Sequence, residues 1–169
     1  MISIVTATDI PALDMLVNSA YRGDSSKKGW TTEADLLEGL RTNPESLKKM
    51  IDEPGAVILK YADENGSLLA CVYLKIKEDN LYLGMLTVSP ELQSKGIGKQ
   101  LLAAAESYAI DKNCSKITMT VISVRYELIA WYERHGYRAT GETAPFPTDP
   151  EFGLPKTPIH FIVMEKPVI

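Results

Sequence analysis

Residues 81–99 read LYLGMLTVSPELQSKGIGK, and this stretch decides how the rest of the chain is interpreted. Its first eight residues have the apolar character of a strand that is buried on both faces. A Ser89-Pro90 break and a short polar segment follow, after which Gly96 and Gly98 open a long amphipathic helix. Backbone N–H groups at the start of a helix can bind phosphate, so the arrangement predicts a site for a ligand with a pyrophosphate group.

The composition is that of an ordinary globular protein. Of the 169 residues, 45% are hydrophobic and 24% are charged, which provides for a substantial core and predicts one domain over residues 1–169. The formal net charge of -4 and the lack of a dense basic run argue against a nucleic-acid partner. No stretch approaches the ~18 apolar residues that span a bilayer, so no membrane partner is expected.

The N-terminus and the cysteines predict a cytoplasmic protein. The first residues, MISIVTATDIPALDMLV, lack a basic segment before an apolar run, so no signal peptide is expected. Cys71 and Cys114 are the two cysteines of the sequence, and they show no metal-ligand spacing. Isolated cysteines suit a reducing cytosol, and nothing in the sequence requires a disulfide between them or a bound metal.

The order of apolar segments and turn signals predicts an α/β fold with a mixed sheet. Strands are predicted at residues 1–5, 56–61, 68–76, 81–88, 116–122, 137–141 and 159–164. Helices are predicted at residues 10–20, 31–40, 43–51, 97–112 and 125–135. Four prolines between residues 142 and 157 predict a long, stiffened loop. Trp30, where a loop meets a helix, fits either a core anchor or a residue that lines a substrate site.

The two glycines fit neither of the common nucleotide-binding motifs. A Walker loop needs four residues between its first Gly and a Gly-Lys-Ser/Thr sequence, whereas residues 96–100 read GIGKQ. A dinucleotide-binding fingerprint needs a third glycine at the position of Leu101. A lone Gly-x-Gly also fits a tight turn between a strand and a helix that binds nothing.

The complete string around these glycines is more specific. Residues 93–98, QSKGIG, resemble the Gln/Arg-x-x-Gly-x-Gly/Ala signature of the GNAT superfamily of N-acetyltransferases, and they follow a strand that ends in LTVSP at residues 86–90. Residues 131–137, WYERHGY, are similar to the end of a later helix in that family. Both motifs occur in the family's order and separation. The resemblance implies the GNAT fold, with a central, mostly antiparallel mixed sheet flanked by helices.

The resemblance also implies that acetyl-CoA is the acetyl donor, without a metal. In the family, the main chain of the strand before the glycines binds the pantetheine arm, and an N–H there stabilises the oxyanion. The glycine loop binds the pyrophosphate through backbone N–H groups. The implied cofactor-binding residues are Leu86, Thr87, Val88, Gln93, Ser94, Lys95, Gly96, Ile97, Gly98, Lys99 and Arg125. For the two lysines, simple solvation is an equal alternative.

Tyr132 matches the family tyrosine that protonates the departing thiolate, and a phenol suits this role because it keeps its proton at neutral pH. By spacing alone, Tyr132 also fits a core aromatic beside Leu128. The sequence departs from the family pattern at two positions. Arg125 stands where many members have an asparagine that contacts the cofactor, so it would reach either the cofactor or a substrate carboxylate. Thr120 stands where some members have a glutamate that acts as general base.

No general base is assigned from the sequence. An amine with a pKa of ~10.4 is almost fully protonated at pH 7, so a base or a water chain is desirable. By residue type, the candidates are Glu33, Glu127, Glu142, His135 and His160. His135 also fits a helix cap, and His160 also fits a structural imidazole in a strand. The proline-rich segment 143–158 would either wall the acceptor site or form an ordered surface loop.

Three functional interpretations remain open. The first is an acetyl-CoA-dependent N-acetyltransferase in which an amine of a small molecule or protein attacks the thioester directly. The second is a non-catalytic GNAT module that senses acyl-CoA, in which Tyr132 would be dispensable. The third is an acyltransferase that uses another acyl group or a hydroxyl acceptor. The acidic net charge leans weakly toward cationic acceptors such as polyamines or lysines, and a homodimer is left open.

Overall fold

The strands and helices follow the apolar periodicity of the sequence. A computed structural model describes residues 1–22, 32–33, 37–38, 41–146, 154–155 and 159–168. The described strands are β1 (Ile2–Ile4), β2 (Leu37–Glu38), β3 (Ala56–Ala62), β4 (Leu68–Lys77), β5 (Asn80–Val88), β6 (Lys116–Ile122), β7 (Arg138–Pro145), β8 (Leu154–Pro155) and β9 (His160–Pro167). The described helices are α1 (Ile10–Tyr21), α2 (Pro44–Asp52), α3 (Ile97–Asp111) and α4 (Tyr126–Arg134), with short 3-10 turns at Ala7–Asp9 and Pro90–Leu92.

Seven of these strands form one mixed sheet in the order β1-β3-β4-β5-β6-β9-β7. Strands β5 and β6 run parallel because α3 connects them as a crossover, whereas the other neighbouring pairs are antiparallel. The sequence-based prediction of a central, mostly antiparallel mixed sheet flanked by helices is therefore confirmed.

Helices cover both faces of this sheet. On one face, Leu101 of α3 belongs to a buried cluster with Leu81 of β5 and Ile117 of β6. On the other face, Leu13 of α1 belongs to a second buried cluster that includes residues of β3 and β4. Because both faces are covered, residues 70–74 of β4 are buried in succession rather than at alternate positions.

Strand β5 contains a β-bulge that redirects its C-terminal half. The register between β4 and β5 shifts between Cys71 and Tyr73, and Met85 on the opposite strand has a φ of 53°. A positive φ is uncommon for a residue other than glycine and is a source of local strain. The Met85 carbonyl oxygen accepts a hydrogen bond from the Thr87 hydroxyl at 2.9 Å, so this backbone group of the bulge has a partner.

The bulge accompanies an opening between β5 and β6. The two strands pair only over Asn80–Tyr82 and Lys116–Thr118, although β5 extends to Val88 and β6 to Ile122. Beyond these residues, the strands separate. Their C-terminal halves form the walls of the cavities that constitute the candidate site.

Two predictions of secondary structure are wrong. Leu37–Glu38, predicted within a helix, forms β2 and pairs antiparallel with Leu154–Pro155. The leucine spacing fits a helix locally, but pairing with a distant segment overrides that preference. Both described ends of the predicted loop at residues 142–157 form strands instead: β7 continues to Pro145, and β8 occupies residues 154–155. Since β7 is an edge strand, a proline at its end costs no hydrogen bond within the sheet.

Other predictions fall outside the described residues. These are the position of Trp30, most of the predicted helix at residues 31–40, and residues 147–153 and 156–158 of the proline-rich segment. Within the described part, no helix combines the length and the apolar character that crossing a bilayer requires. Cys71 and Cys114 are both buried and free.

Gly98 allows close packing between α3 and α4. A Cβ atom at Gly98 would lie 3.3 Å from both Cη2 and Cζ2 of Trp131. Gly96 differs, because its φ is 86° and its Cβ position has no described heavy atom within 4 Å. Glycine is therefore favoured at position 98 by packing against Trp131 and at position 96 by backbone conformation.

We expect Gly98→Ala to lower the free energy of unfolding by about 1–2 kcal/mol, because overpacking against Trp131 outweighs the smaller gain in helix propensity. In a Trp131→Leu background the same substitution would be neutral or stabilising, since the ring is gone. Urea denaturation of the four proteins of this double-mutant cycle measures the coupling.

Gly96→Ala is the matched comparison for this cycle. Its cost of about 1–2 kcal/mol comes from the left-handed backbone conformation and would be the same with or without the Trp131 ring. An equal cost for Gly98→Ala in both backgrounds would contradict the proposed packing constraint.

Candidate active site

Two cavities open where β5 and β6 separate. The larger cavity has a volume of about 460 Å³ and lies between the separated strands, with Gly84 of β5 and Met119 of β6 in its walls. The smaller cavity, of about 210 Å³, lies between the end of β5 and the N-terminus of α3. The two cavities share Leu86, Leu128 and Tyr132. The two cavities are therefore adjacent at these three residues.

The smaller cavity ends at the first turn of α3. Gly96 is the N-cap in the left-handed conformation, and Ser94 just before it has a φ of 69°. A helical hydrogen bond runs from the Gln100 N–H to the Gly96 carbonyl oxygen at 3.2 Å. The N–H groups of residues 97–99 precede that bond, so they have no acceptor within the helix and carry the positive end of its dipole. This geometry suits an anionic ligand.

Most of the predicted cofactor-binding residues line the smaller cavity. They are Leu86, Val88, Gln93, Ser94, Gly96, Ile97, Gly98 and Lys99. Gln93 also ties the loop to the strand, because its Nε2 donates a hydrogen bond to the Val88 carbonyl oxygen at 3.0 Å. Thr87 and Lys95 are not among the residues that line it: the Thr87 side chain is buried toward Met85, and Lys95 is exposed. Thr87 can therefore contribute main-chain groups, as the family resemblance implies.

Arg125, the remaining predicted cofactor-binding residue, lies in the wall of the larger cavity. It belongs to a buried ionic cluster in which its Nη1 atom is 3.4 Å from Oε2 of Glu33. The Nε atom of Arg22 donates to Oε1 of the same carboxylate at 3.0 Å. Of the two roles predicted for Arg125, contact with a substrate carboxylate fits this placement better than contact with the cofactor.

The environment of this cluster disfavours further positive charge. Burial lowers the pKa of Arg22 below its usual range, Glu33 opposes that shift, and the nearby Arg41 adds to it. The exposed fractions of Arg22, Glu33 and Arg125 are 6%, 8% and 9%. Because the guanidinium groups are buried, their interactions with a neighbouring charge are screened less than at the protein surface.

Tyr21 connects α1 to the bulged part of β5. Its hydroxyl donates a hydrogen bond to the Leu86 carbonyl oxygen, and the Arg41 guanidinium lies 5.6 Å from its ring centroid. Burial raises the pKa of Tyr21 to about 12. No sequence motif predicts Tyr21, Arg22 and Arg41 as site residues, because only the tertiary fold brings them to the cavity.

Tyr132 lies at the junction of the two cavities. Its side chain is buried, and its ring packs edge-on against Trp131 and Tyr137 with centroid distances of 5.1 and 5.7 Å. Burial raises the pKa of Tyr132 well above its ordinary value; Tyr21 and Tyr137 raise it further, and Arg125 opposes them. The phenol therefore stays protonated at neutral pH and can donate its proton at the junction.

The other titratable side chains offer few candidates for a base. Glu33 lines the larger cavity, but both of its oxygens contact guanidinium groups. His135 lines the smaller cavity, where its Nδ1 is 2.7 Å from the Trp131 carbonyl oxygen, as expected for a helix cap. The remaining candidates are exposed and line neither cavity, namely Glu127, Glu142 and His160. Among the described residues, no group of His, Cys, Asp and Glu side chains is placed to hold a metal ion.

Solved structures show which fold this arrangement belongs to. The ribosomal-protein-S18-alanine N-acetyltransferase from Escherichia coli is 17% identical with a TM-score of 0.74, over 99% of this chain and 93% of that chain. An N-acetyltransferase from Staphylococcus aureus Mu50 is 16% identical with a TM-score of 0.71, over 100% and 98%. A spermidine N-acetyltransferase chimera from Vibrio cholerae and hSSAT is 17% identical with a TM-score of 0.70, over 99% and 95%.

At these identities, the solved structures show the fold and not the acceptor, and the acceptors in their names differ. The family assignment comes from the sequence: residues 18–137 match the model of the Acetyltransferase (GNAT) family. The matched region includes the glycine loop, Arg125 and Tyr132, and it covers most of the chain. The chain therefore belongs to the GNAT acetyltransferase family, and it is an acyltransferase with that family's fold.

Proposed function

We propose that this acyltransferase uses acetyl-CoA to acetylate a primary amine, with direct attack of the amine on the thioester, in a single domain formed by residues 1–169. One observation carries the proposal: the cavity at the glycine loop and the cavity between the separated strands meet at Tyr132. Two reactants held on either side of one buried point gain the proximity that direct transfer requires.

The smaller cavity has the features that would bind the donor. The N–H groups of residues 97–99 would bind the pyrophosphate, and the exposed Lys95 and Lys99 would add positive charge nearby. Residues 86–88 lie on the part of β5 that has separated from β6, so their main chain would accept the pantetheine arm as an added strand. When bound in this way, acetyl-CoA supplies the reactive thioester.

Tyr132 would act as the general acid. It would give its hydroxyl proton to the departing sulfur as the C–S bond breaks and the C–N bond forms. The burial that raises its pKa keeps the proton in place until the transfer. Water would then return a proton to Tyr132, and the proton released by the amine would leave to water.

No side chain is assigned as the general base. Thr120 lines the larger cavity at the position where some members have a glutamate, but a hydroxyl does not accept a proton at neutral pH. The Glu33 oxygens face Arg22 and Arg125. A cavity of about 460 Å³ has room for several waters, so we assign deprotonation of the amine to solvent.

Tyr132→Phe tests the general acid. We expect kcat to fall about 100-fold, with acetyl-CoA affinity changed less than about 3-fold, because only the proton donor is removed. Release of the CoA thiol gives kcat, and calorimetry gives the affinity. An unchanged kcat would exclude the proposed role for Tyr132.

Tyr137→Phe is the matched control for this test. Its ring lies next to that of Tyr132, its buried hydroxyl has no hydrogen-bond partner among the described residues, and it lines neither cavity. Removing that hydroxyl would leave kcat unchanged and stability equal or slightly higher, since no hydrogen bond is lost. Equal losses of kcat in the two variants would point to a packing effect rather than to proton donation.

The pH dependence tests the absence of a side-chain base. We expect kcat/KM to rise about tenfold per pH unit up to the pKa of the acceptor amine, because only the neutral amine attacks. Since burial raises the pKa of Tyr132 well above that of a free phenol, its protonated form persists, and its ionisation is not expected to reduce activity over the range in which the amine titrates. A rising limb that levels off near pH 6–7, independent of the amine used, would reveal a side-chain base instead.

A further inference from the structure

We propose that the acceptor is an amine that also carries an acid group, and that the arginines of the larger cavity bind this oxyanion. The inference rests on the proposed function and names its substrate class. The formal charge of the cavity is its first support. The described residues that line it include three arginines, Arg22, Arg41 and Arg125, and one acidic residue, Glu33, so the formal charges of these lining residues sum to +2. The whole chain, by contrast, carries -4.

We call Arg22, Arg41 and Arg125 the cationic wall, and each comes from a different part of the fold. Arg22 follows the last residue of α1, Arg41 precedes α2, and Arg125 is the N-cap of α4. The positive end of the α4 dipole adds to the charge at Arg125. Guanidinium groups present paired N–H donors that match the two oxygens of a carboxylate, or those of a phosphonate.

The protein fixes these groups in place before any substrate binds. Glu33 contacts Arg22 and Arg125 at 3.0 and 3.4 Å, which orients both guanidinium groups toward one region of the cavity. The backbone of Arg41 is held by Asn18, whose Oδ1 accepts its N–H at 2.7 Å. A preorganised cationic wall of this kind reduces the entropy lost when an anion binds.

The wall lies at a suitable place for catalysis. Arg125 is close enough to Tyr132 to oppose the rise of its pKa, and both residues line the larger cavity. An acid group at the arginines would leave the amine of the same molecule free to extend toward Leu86 and Tyr132, where the donor cavity begins. A polyamine would instead bring two or more positive charges to a wall that is already positive.

The test compares matched acceptors on the wild-type enzyme with saturating acetyl-CoA. The panel consists of amino acids, the same amino acids as C-terminal amides, aminoalkylphosphonates and spermidine. We expect kcat/KM for each acid to exceed that for its amide by about 10–100-fold, the range expected for a charge-assisted guanidinium contact. The phosphonates distinguish a general oxyanion site from one that accepts only carboxylates. Equal or faster transfer to amides or spermidine would overturn the proposal.

Variants assign the preference to the arginines. Arg125→Gln and Arg41→Gln would each lower the acid-to-amide ratio about tenfold, mostly through KM, while Arg125→Lys would keep part of the preference. Arg134→Gln is the control, because Arg134 is exposed on α4 and does not line the cavity. A ratio that is unchanged in all the cavity variants would overturn the assignment even if they fold normally.

Failure of the proposed function would give a different result from failure of the acid-bearing acceptor alone. Transfer to amides or spermidine but not to acids would refute only the acid-bearing acceptor, whereas no transfer to any amine would refute the proposed function. In the second case, calorimetric titration of the wild type with N-acetyl amino acids and their amides still tests the oxyanion site. Tighter binding of the acids, lost in Arg125→Gln, would support it, and no difference would overturn it.

Discussion

The separation of β5 from β6 is the constraint on which the candidate site depends. The two strands pair over three residues each and then diverge, so backbone groups that a continuous sheet would pair become available to ligands. Strand β5 stays ordered where it diverges, because the Thr87 hydroxyl donates a hydrogen bond to the carbonyl oxygen of Met85 in the bulge. Tyr21 fixes the next carbonyl, that of Leu86, from the opposite helix layer. Specific hydrogen bonds therefore stabilise the opening in the sheet.

Electrostatics divide the opening into regions with different tasks. The first turn of α3 and the cationic wall each favour negative charge, and they line two different cavities. Burial keeps Tyr132, which lines both cavities, neutral. The proposed donor and acceptor, both acidic, would then bind with their charged groups in different cavities and their reactive groups at the residues that the cavities share. The net charge of the chain does not reveal these local regions, because it sums positive and negative charges over the whole sequence.

The sequence predicts the parts of this structure that depend on local patterns. The strand, glycine loop and helix of residues 81–112 follow from periodicity and backbone chemistry, and Tyr132 from a motif on one helix. The strand at Leu37–Glu38 escaped prediction because its partner is distant in sequence. Arg22 and Arg41 escaped for the same reason: each looks like an ordinary solvated charge until the fold brings it to the cavity that Arg125 also lines. Long-range convergence has no local signature.

The cationic wall also bears on how the proposed reaction would proceed without a side-chain base. Like charges disfavour one another, so an ammonium that enters a cavity whose described lining residues sum to +2 would have its pKa lowered relative to water. The same arginines that would hold the acid group of the acceptor would therefore promote loss of a proton from its amine. This effect requires only that the amine stay close to the wall, and it needs no carboxylate at Thr120. Recognition of an acid-bearing acceptor and activation of its amine would then arise from one arrangement of charge. Glu33 would not be needed as a base, and its oxygens contact Arg22 and Arg125.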